Sequence, residues 1–394
     1  MSIILTRKQE EGLKIAIDRF NKGEKYTVIS GYAGTGKSTL VKFITQSLPG
    51  IDPDSDVVYA TYTGKAAQVL ISKGNENSMT LHKLLYDSKP KPDGTFIRIK
   101  KAFIPYKVVV VDEVSMAPVE MINLLFSHNV YVICLGDPFQ LPPVDKDQDN
   151  HLLDHPHIFL DEIMRQAMDS EIIRLTMDIR AGKNIELFDG HDIKVYDKSK
   201  LSTGMLLWAD QIISATNRTR IDMNDNIRRL LMRNDEPEEG DKVICLRNYW
   251  DFASDTVDFL VNGTIGYLEN VYPTFIKFPP FLNKGKMLPI IRSKFVSDTN
   301  ADYGFLQMDK NQILTGERSL DNKTMYALVK NHRFQHLIPM EFTYGYCITC
   351  HKAQGSEWNK VLVIEERFPF DKEEHARWLY TAATRASDKL VIVR

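Results

Sequence analysis

The chain carries a complete phosphate-binding loop near its N-terminus, Gly31-Tyr32-Ala33-Gly34-Thr35-Gly36-Lys37-Ser38. The loop follows an apolar, β-branched run at Tyr26–Ser30 and precedes a helix-like segment at Thr39–Ile44. In that context the glycines let backbone amides turn toward a triphosphate. Lys37 reaches the β and γ oxygens, and the Ser38 hydroxyl binds Mg²⁺. The sequence therefore predicts a strand–loop–helix unit that binds a nucleoside triphosphate.

The composition excludes several other classes of protein. With 394 residues, of which 43% are hydrophobic and 26% charged, the chain is long enough for more than one ordinary soluble domain. No apolar run has the length of a membrane span, and the first residues do not resemble a signal peptide. The cysteines are too few and too scattered for a disulfide framework. We therefore expect a cytoplasmic protein with no membrane partner.

Short runs rich in Val and Ile recur along the chain, and most are separated by segments with helical spacing. Near-continuous apolar runs are typical of strands that are buried on both faces of a parallel sheet. The predicted strands are Tyr26–Ser30, Val57–Thr61, Lys107–Val111, Tyr131–Leu135, Gln211–Ala215, Lys360–Glu365 and Lys389–Val393. Because they fall into one group before about residue 140 and another after about residue 210, we predict two α/β domains.

Two segments read as β-rich insertions into these domains. Residues 240–339 contain a tight-turn signal at Asn262-Gly263, and Asp241–Leu246 alternates like an exposed antiparallel strand. In the first domain, Asp93-Gly94 predicts a hairpin turn between Lys91 and Ile104.

Polar residues with catalytic potential follow two of the predicted strands. Asp112 and Glu113 come directly after Lys107–Val111, where Asp112 would hold Mg²⁺ and Glu113 would polarise an attacking water. Gln140 follows the next strand, and its amide can donate to a γ-phosphate and accept from water. This set of residues favours hydrolysis over transfer to a small-molecule acceptor.

Together these pieces resemble the superfamily 1 helicases, in the RecD-like branch 1B that moves 5′ to 3′ and includes the phage Dda helicase. The resemblance covers nearly the whole chain. The matching segments, in chain order, are Leu5–Gln9, Gly31–Ser38, Ala60–Ala67, Thr80–His82, Asp112–Met116, Gly136–Val144, Met164–Gln166, Ile348–Glu357 and Leu379–Ala386.

The resemblance implies two RecA-like P-loop NTPase domains, with a small β-hairpin insertion in the first and an SH3-like β insertion in the second. The implied parts are domain 1A (1–85 and 108–165), the wedge insertion 1B (86–107), domain 2A (166–239 and 340–394) and the insertion 2B (240–339).

The resemblance also implies how ATP and Mg²⁺ are bound. Gln9 matches a glutamine that reads adenine, and Gly355 and Glu357 lie in a segment that belongs to the nucleotide site. Arg165 and Arg385 match arginines that neutralise charge on the transferred phosphoryl group. They reach the phosphate only when the two domains close over ATP.

Contacts with a DNA strand follow from the same family. Polar and imidazole groups implied to grip the strand belong to Thr61, Thr63, His82, Asn217, Thr349 and His351. The basic segment 89–107 coincides with the strand-separating wedge of the family, and either Phe96 or Pro92 forms its tip, unless these residues pack onto the domain instead.

The resemblance implies an ATP-dependent DNA helicase that moves 5′ to 3′ on single-stranded DNA and unwinds duplex. Its partners are single-stranded DNA and fork duplex, with a single-stranded-DNA-binding protein or replication proteins as further candidates, and the expected state is a monomer. An RNA-directed helicase of the same superfamily and a P-loop ATPase that does not act on nucleic acid are the alternatives. A binding module without catalysis fits less well, because Lys37, Asp112 and Glu113 are all present.

Overall fold

The computed structural model describes residues 4–90, 96–142, 148–253, 259–280, 285–367 and 371–394. Its helices are α1 (Arg7–Asn21), α2 (Lys37–Ser47), α3 (Gly64–Ser72), α4 (Leu81–Leu85), α5 (Val119–Phe126), α6 (Arg165–Met168), α7 (Glu171–Arg180), α8 (Thr203–Trp208), α9 (Asn217–Leu230), α10 (Lys310–Thr315), α11 (Asn322–Lys330), α12 (Cys350–Ala353) and α13 (Lys372–Ala383).

The strands of the described residues form five sheets. In chain order they are β1 (Tyr26–Gly31), β2 (Val57–Thr61), β3 (Ser78–Thr80), β4 (Tyr86–Pro90), β5 (Phe96–Lys100), β6 (Val108–Val111), β7 (Tyr131–Gly136), β8 (Ile158–Leu160), β9 (Phe188–Asp189), β10 (Ile193–Tyr196), β11 (Gln211–Ser214), β12 (Lys242–Cys245), β13 (Tyr249–Ala253), β14 (Phe259–Leu260), β15 (Ile265–Lys277), β16 (Met287–Ser297), β17 (Asp302–Asp309), β18 (Phe342–Tyr344), β19 (Cys347–Thr349), β20 (Trp358–Ile364) and β21 (Ala386–Val393).

The chain divides into two compact units. The first contains Met1–Tyr86, Lys100–Ala215 and Cys350–Arg394, and the second contains Asp87–Ile99 and Thr216–Thr349. All seven predicted α/β strands are present, and all seven lie in the first unit. The four-part division 1A, 1B, 2A and 2B remains a prediction.

The first sheet of the first unit has the strand order β3-β2-β6-β7-β1-β8, and every pair in it is parallel. Two of its strands, β3 and β8, were not predicted, because three-residue edge strands carry little periodic signal. The parallel order brings the carboxyl ends of β1, β6 and β7 to one edge of the sheet. The phosphate-binding loop, the carboxylates and the segment with Gln140 follow these three strands.

This sheet is buried on both faces, which explains the unbroken apolar runs. Along β6, Val109 and Val111 pack into one core with side chains of α4 and α5, whereas Val108 and Val110 pack into the opposite core with α1 and α2. Since successive side chains of a strand point to opposite faces, each valine of this run is needed by one core or the other.

Within this unit, the second sheet has the strand order β11-β20-β21-β10-β9. Its strands are parallel except for the short edge strand β9. Helix α13 begins after its cap, Asp371, whose side chain accepts a hydrogen bond from the Glu374 amide. It leads directly through Thr384 and Arg385 into β21.

The second unit is mainly antiparallel, with a five-stranded sheet in the order β17-β16-β15-β12-β18. The prediction of an exposed strand at Asp241–Leu246 is wrong, because all four residues of β12 are buried between β15 and β18. Its Val243 and Cys245 belong to the core of this sheet. The SH3-like character of this region remains a prediction.

Strands β4 and β5 form a separate two-stranded sheet, while the predicted turn at Asp93-Gly94 and the candidate wedge tip Pro92 lie outside the described residues. Within the described part of the chain, no helix is long and apolar enough to span a membrane.

Candidate nucleotide-binding site

The phosphate-binding loop leaves β1 at Gly31 and enters α2 at Lys37. Gly36 has a φ of 76°, in the left-handed region, and a Cβ there would lie 2.5 Å from the Gln9 side chain. Backbone strain therefore disfavours a residue other than glycine, and its Cβ would also require the Gln9 side chain to move. The Thr35 hydroxyl donates to the Tyr32 carbonyl at 2.8 Å and fixes the turn from inside.

Lys37 is held by the carbonyls of its own loop. Its ammonium group donates to the Gly31 carbonyl at 2.6 Å and to the Tyr32 carbonyl at 3.0 Å. These partners are neutral, so a triphosphate offers the lysine a stronger, charge-assisted set of acceptors. The loop thus holds the cation ready for an anionic ligand.

Gln9 supports the loop from behind. Its side-chain oxygen accepts a hydrogen bond from the Thr6 backbone amide at 2.9 Å, in a capping box that starts α1. Its side-chain nitrogen donates to the Thr35 carbonyl at 3.2 Å and to the Gly36 carbonyl at 3.4 Å. The residue is completely buried. Its predicted contact with adenine remains a prediction.

The two carboxylates lie at the end of β6. Asp112 accepts a hydrogen bond from the Glu113 amide at 2.9 Å, and Glu113 has a φ of 51°. The left-handed region is strained for a glutamate, and strain of this kind is found where the surrounding structure holds a functional side chain in place. Glu113 also accepts a long hydrogen bond, 3.5 Å, from the Gln140 amide.

Burial and charge act against each other on these carboxylates. Burial raises the pKa of Asp112, and the charge of Lys37 opposes this shift. Burial likewise raises the pKa of Glu113, whereas the positive charge of Arg385 lowers it. Arg385 is far away in sequence but lines the same cleft as Glu113.

Arg385 follows α13 and is only 6% exposed. Its guanidinium donates to the Thr381 carbonyl at 3.1 Å, to the Ser356 carbonyl at 3.2 Å and to the Thr384 hydroxyl at 3.0 Å. All three acceptors are neutral, so the positive charge of Arg385 has no carboxylate partner among these bonds. These bonds hold the guanidinium in place, and Arg385 lines the site.

Many of these residues line one cleft of about 390 Å³, whereas the predicted residues Gln9, Gly31, Thr35 and Gly36 do not line it. The predicted site residues that line it are Ala33, Gly34, Lys37, Ser38, Asp112, Glu113, Gln140, Gly355, Glu357 and Arg385. Gly355 has a φ of 72°, and a Cβ there would lie 3.1 Å from the Thr63 hydroxyl. The Glu357 carboxylate pairs with Lys73 at 2.7 Å. Arg165 begins α6, but its side chain lies outside what the structure describes.

The donor set of the cleft fits Mg²⁺. Ser38 and Asp112 both line the cleft and supply hydroxyl and carboxylate oxygens, the ligands that a hard cation prefers. Among the described residues, no cluster of His, Cys, Asp or Glu could hold a metal ion by itself. Mg²⁺ ordinarily binds through one or two protein oxygens together with substrate phosphates. The residues are therefore suited to a cation that arrives with the nucleotide.

Two residues of the cleft region were not singled out from the sequence. Asp137 lines the cleft, and its carboxylate accepts a hydrogen bond of 2.5 Å from the Tyr380 hydroxyl. Both residues lie in segments that match the family, but they are 243 positions apart. No local pattern in the sequence indicates that they meet.

The residues implied to contact DNA in the first unit have varied surroundings. Thr61 is buried and donates to the Thr63 carbonyl at 2.8 Å, while the Thr63 hydroxyl caps α3 through the Ala66 amide. The His82 ring lies 5.6 Å from the Tyr62 ring. Burial lowers the pKa of His351, which favours a neutral imidazole. Their role in strand contact remains a prediction.

The other three residues implied to contact DNA lie in the second unit. Asn217 begins α9, where its side-chain oxygen accepts from Arg220 at 3.2 Å, and Thr349 ends β19. Phe96 begins β5, and its side chain lies outside what the structure describes.

Two family models match the chain. One is described as an AAA domain and matches residues 5–199, and the other is described as a UvrD-like helicase C-terminal domain and matches residues 344–393. Together they cover more than half of the chain. The first match contains Lys37 and both carboxylates, and the second contains Arg385.

Curated relatives include the ATP-dependent RecD2 DNA helicase of Deinococcus radiodurans, with 26% identity over 93% of this chain and 46% of that protein. The chain therefore spans about half the length of that relative. The ATP-dependent DNA helicase dda of Enterobacteria phage T4 is 22% identical over 74% of this chain and 69% of that protein.

Among solved structures, the chain is similar to Bacteroides Pif1 bound to single-stranded DNA, with a TM-score of 0.51 and 17% identity over 100% of this chain and 93% of that one. This likeness shows the fold alone. The predicted α/β class with a RecA-like parallel core is confirmed.

Proposed function

The chain belongs to the superfamily 1B helicases, and from this membership we propose that it is an ATP-dependent DNA helicase. It hydrolyses ATP in the cleft between Lys37 and Arg385, moves 5′ to 3′ on single-stranded DNA and unwinds the duplex ahead of it. The relatives named above are DNA helicases, and the Pif1 structure contains single-stranded DNA.

The residues of the cleft divide the chemistry among them. The ammonium of Lys37 moves from its loop carbonyls to the β and γ oxygens of ATP. Glu113 accepts the proton of the attacking water, and the Gln140 amide orients that water and senses the γ-phosphate. Ser38 and Asp112 would hold Mg²⁺, which would neutralise phosphate charge.

One observation carries this proposal. Glu113 and Arg385 line the same cleft, although they are far apart in the sequence. An arginine in that position can stabilise the negative charge that develops on the transferred phosphoryl group. Its hydrogen-bond acceptors in the described part of the chain are neutral carbonyls and a hydroxyl, so its approach to a phosphate breaks no ion pair there.

Hydrolysis then drives movement along the strand. ATP attracts Lys37 from one sheet of the first unit and Arg385 from the other, so its binding favours closure of the cleft. Cleavage and release of phosphate remove that attraction. If the grip on DNA alternates between the two states, each cycle moves the protein along the strand in one direction.

The first test is ATP turnover with and without single-stranded DNA. We expect strong stimulation by DNA in the wild type and none in Glu113→Gln. Greater stimulation by RNA of the same length and sequence would favour the RNA-directed alternative. Hydrolysis that is indifferent to both oligonucleotides would favour a P-loop ATPase that does not act on nucleic acid.

Polarity needs a separate measurement. A fluorescence unwinding assay compares duplexes that carry a single-stranded tail at either the 5′ or the 3′ end, with a forked duplex as reference. We expect unwinding from the 5′ tail. Unwinding only from the 3′ tail would reverse the proposed direction.

The proposal includes a monomer in the cytoplasm, with a single-stranded-DNA-binding protein or replication proteins as further partners. Sedimentation velocity in the presence of a short single strand tests the monomer. A complex with two protein chains on a strand long enough for one would contradict it.

A further inference from the structure

Tyr380 connects two parts of the cleft that the proposed mechanism treats separately. It lies in α13 and is 1% exposed. Its hydroxyl accepts a hydrogen bond from the amide of Ala33, in the phosphate-binding loop, at 2.8 Å. The same hydroxyl donates to the carboxylate of Asp137 at 2.5 Å. A phenol is suited to this place because it accepts and donates through one atom.

The Asp137 end of this link belongs to the loop that carries Gln140. Asp137 is 3% exposed, and its other carboxylate oxygen accepts from the Phe139 amide at 3.0 Å. The Phe139 ring packs edge-on against the Tyr380 ring, with centroids 5.2 Å apart. Tyr380 therefore holds the first part of the loop through its ring and its hydroxyl.

The neighbouring residue holds the other side of the same loop. The Thr381 hydroxyl accepts from the Leu141 amide at 2.9 Å, and the Thr381 carbonyl accepts from Arg385 at 3.1 Å. Gln140 thus lies between two anchor points, Asp137 and Leu141, which are both bonded to one turn of α13. That turn also positions Arg385.

Resting on the function proposed above, we propose that Tyr380 is a positioning residue for ATP hydrolysis. Its hydroxyl fixes the distance between the phosphate-binding loop, at Ala33, and the loop that presents Gln140. It does not touch the reacting atoms. It keeps the water-orienting amide in register with the bound phosphates, while α13 carries Arg385 to the same place.

The protonation state of the phenol agrees with this role. Burial raises the pKa of Tyr380, and the negative charge of Asp137 raises it further, so the hydroxyl stays protonated and remains a donor. A hydrogen bond to a buried carboxylate is stronger than one between neutral groups. Loss of this donor keeps the ring contact with Phe139 but removes the direct bond to Asp137.

The test is Tyr380→Phe, which removes the hydroxyl and retains the ring. We expect kcat for DNA-stimulated ATP hydrolysis to fall about tenfold, with the KM for ATP and the affinity for single-stranded DNA nearly unchanged. The control is Tyr131→Phe in the same unit, whose hydroxyl is bonded to the Thr27 hydroxyl at 2.6 Å and to the Ala16 carbonyl at 3.2 Å. It loses a comparable buried hydroxyl outside the cleft, and its kcat should match that of the wild type.

A double-mutant cycle with Asp137→Ala measures the link itself. If the two side chains act only through their shared hydrogen bond, kcat of the double variant should be close to that of the slower single variant. Should Asp137→Ala fail to fold by circular dichroism, Tyr380→Phe and its control decide alone. Wild-type kcat in Tyr380→Phe, or an equal fall in Tyr131→Phe, would overturn the proposal. An inactive wild type would instead count against the helicase function.

Discussion

The two parallel sheets of the first unit are built alike but supply the cleft in different ways. The first sheet contributes loops that directly follow its strands, with Lys37 after β1 and the two carboxylates after β6. The second contributes a helix and the residue pair after it, with Arg385 held by the carbonyls of Thr381 and Ser356. We infer that the first sheet binds the nucleotide, whereas the second supplies charge that matters mainly in the transition state.

Both sheets keep their cations on neutral partners. Lys37 is bonded to carbonyls of its own loop, and Arg385 to carbonyls of its own half. A triphosphate is therefore a stronger acceptor than these carbonyls for either cation, and one triphosphate can attract both. We propose that this shared preference favours closure of the cleft on ATP, with the contribution of Arg385 small in the ground state and largest in the transition state.

The largest effect is expected from Lys37→Ala, which tests the binding half of the comparison. Loss of the ammonium should weaken ATP binding and reduce hydrolysis by roughly 10³-fold or more, to the limit of detection. Equilibrium binding of a fluorescent ATP analogue and steady-state turnover measure the two effects. Lys42→Ala, on the same helix, is the matched control and should retain both activities. Normal ATP binding in Lys37→Ala would contradict the inference that the first sheet binds the nucleotide.

Arg385→Ala tests the catalytic half. Turnover should fall by about 10³-fold, because the arginine neutralises charge that is greatest in the transition state, while the affinities for ATP and single-stranded DNA change little. Arg385→Lys should recover only a small part of the rate, since an ammonium lacks the planar fork of the guanidinium. If Arg385→Ala bound ATP as poorly as Lys37→Ala does, both sheets would contribute to ATP binding.

Glu113→Gln should reduce turnover by about a hundredfold and leave ATP binding intact, because the amide cannot accept the proton of water. The same residue predicts a pH dependence. Only the carboxylate acts as a base, so activity is lost as the pH falls through the pKa of Glu113, which burial raises above the ordinary value. Because Arg385 lowers this pKa, the acidic limb of the residual activity should move to higher pH in Arg385→Ala. An unmoved limb would remove Glu113 as the titrating base.

The same contrast explains what the sequence alone could predict. The phosphate-binding loop is a run of consecutive residues, and the apolar valines of β6 indicate a strand buried on both faces. Local patterns therefore sufficed for the four inner strands of the first sheet, but not for its short edge strands β3 and β8. The bond between Tyr380 and Asp137 depends on how two segments 243 positions apart pack together. Likewise, the burial of β12 follows from strands on both of its sides, which its alternating sequence does not reveal.

The smallest effect is expected from the ion pair between Lys73 and Glu357, which joins α3 to the segment after α12. Both side chains are substantially exposed, 59% and 37%, so breaking the pair should change the free energy of unfolding by less than about 1 kcal/mol in urea titrations, and less still at high salt. The KM for ATP distinguishes the two roles of Glu357. If the carboxylate also binds the nucleotide, as the family implies, Glu357→Ala raises KM more than Lys73→Ala does. Because Lys73 also lines the cleft, only a wild-type KM in both variants would limit Glu357 to the ion pair and leave nucleotide binding to the first sheet.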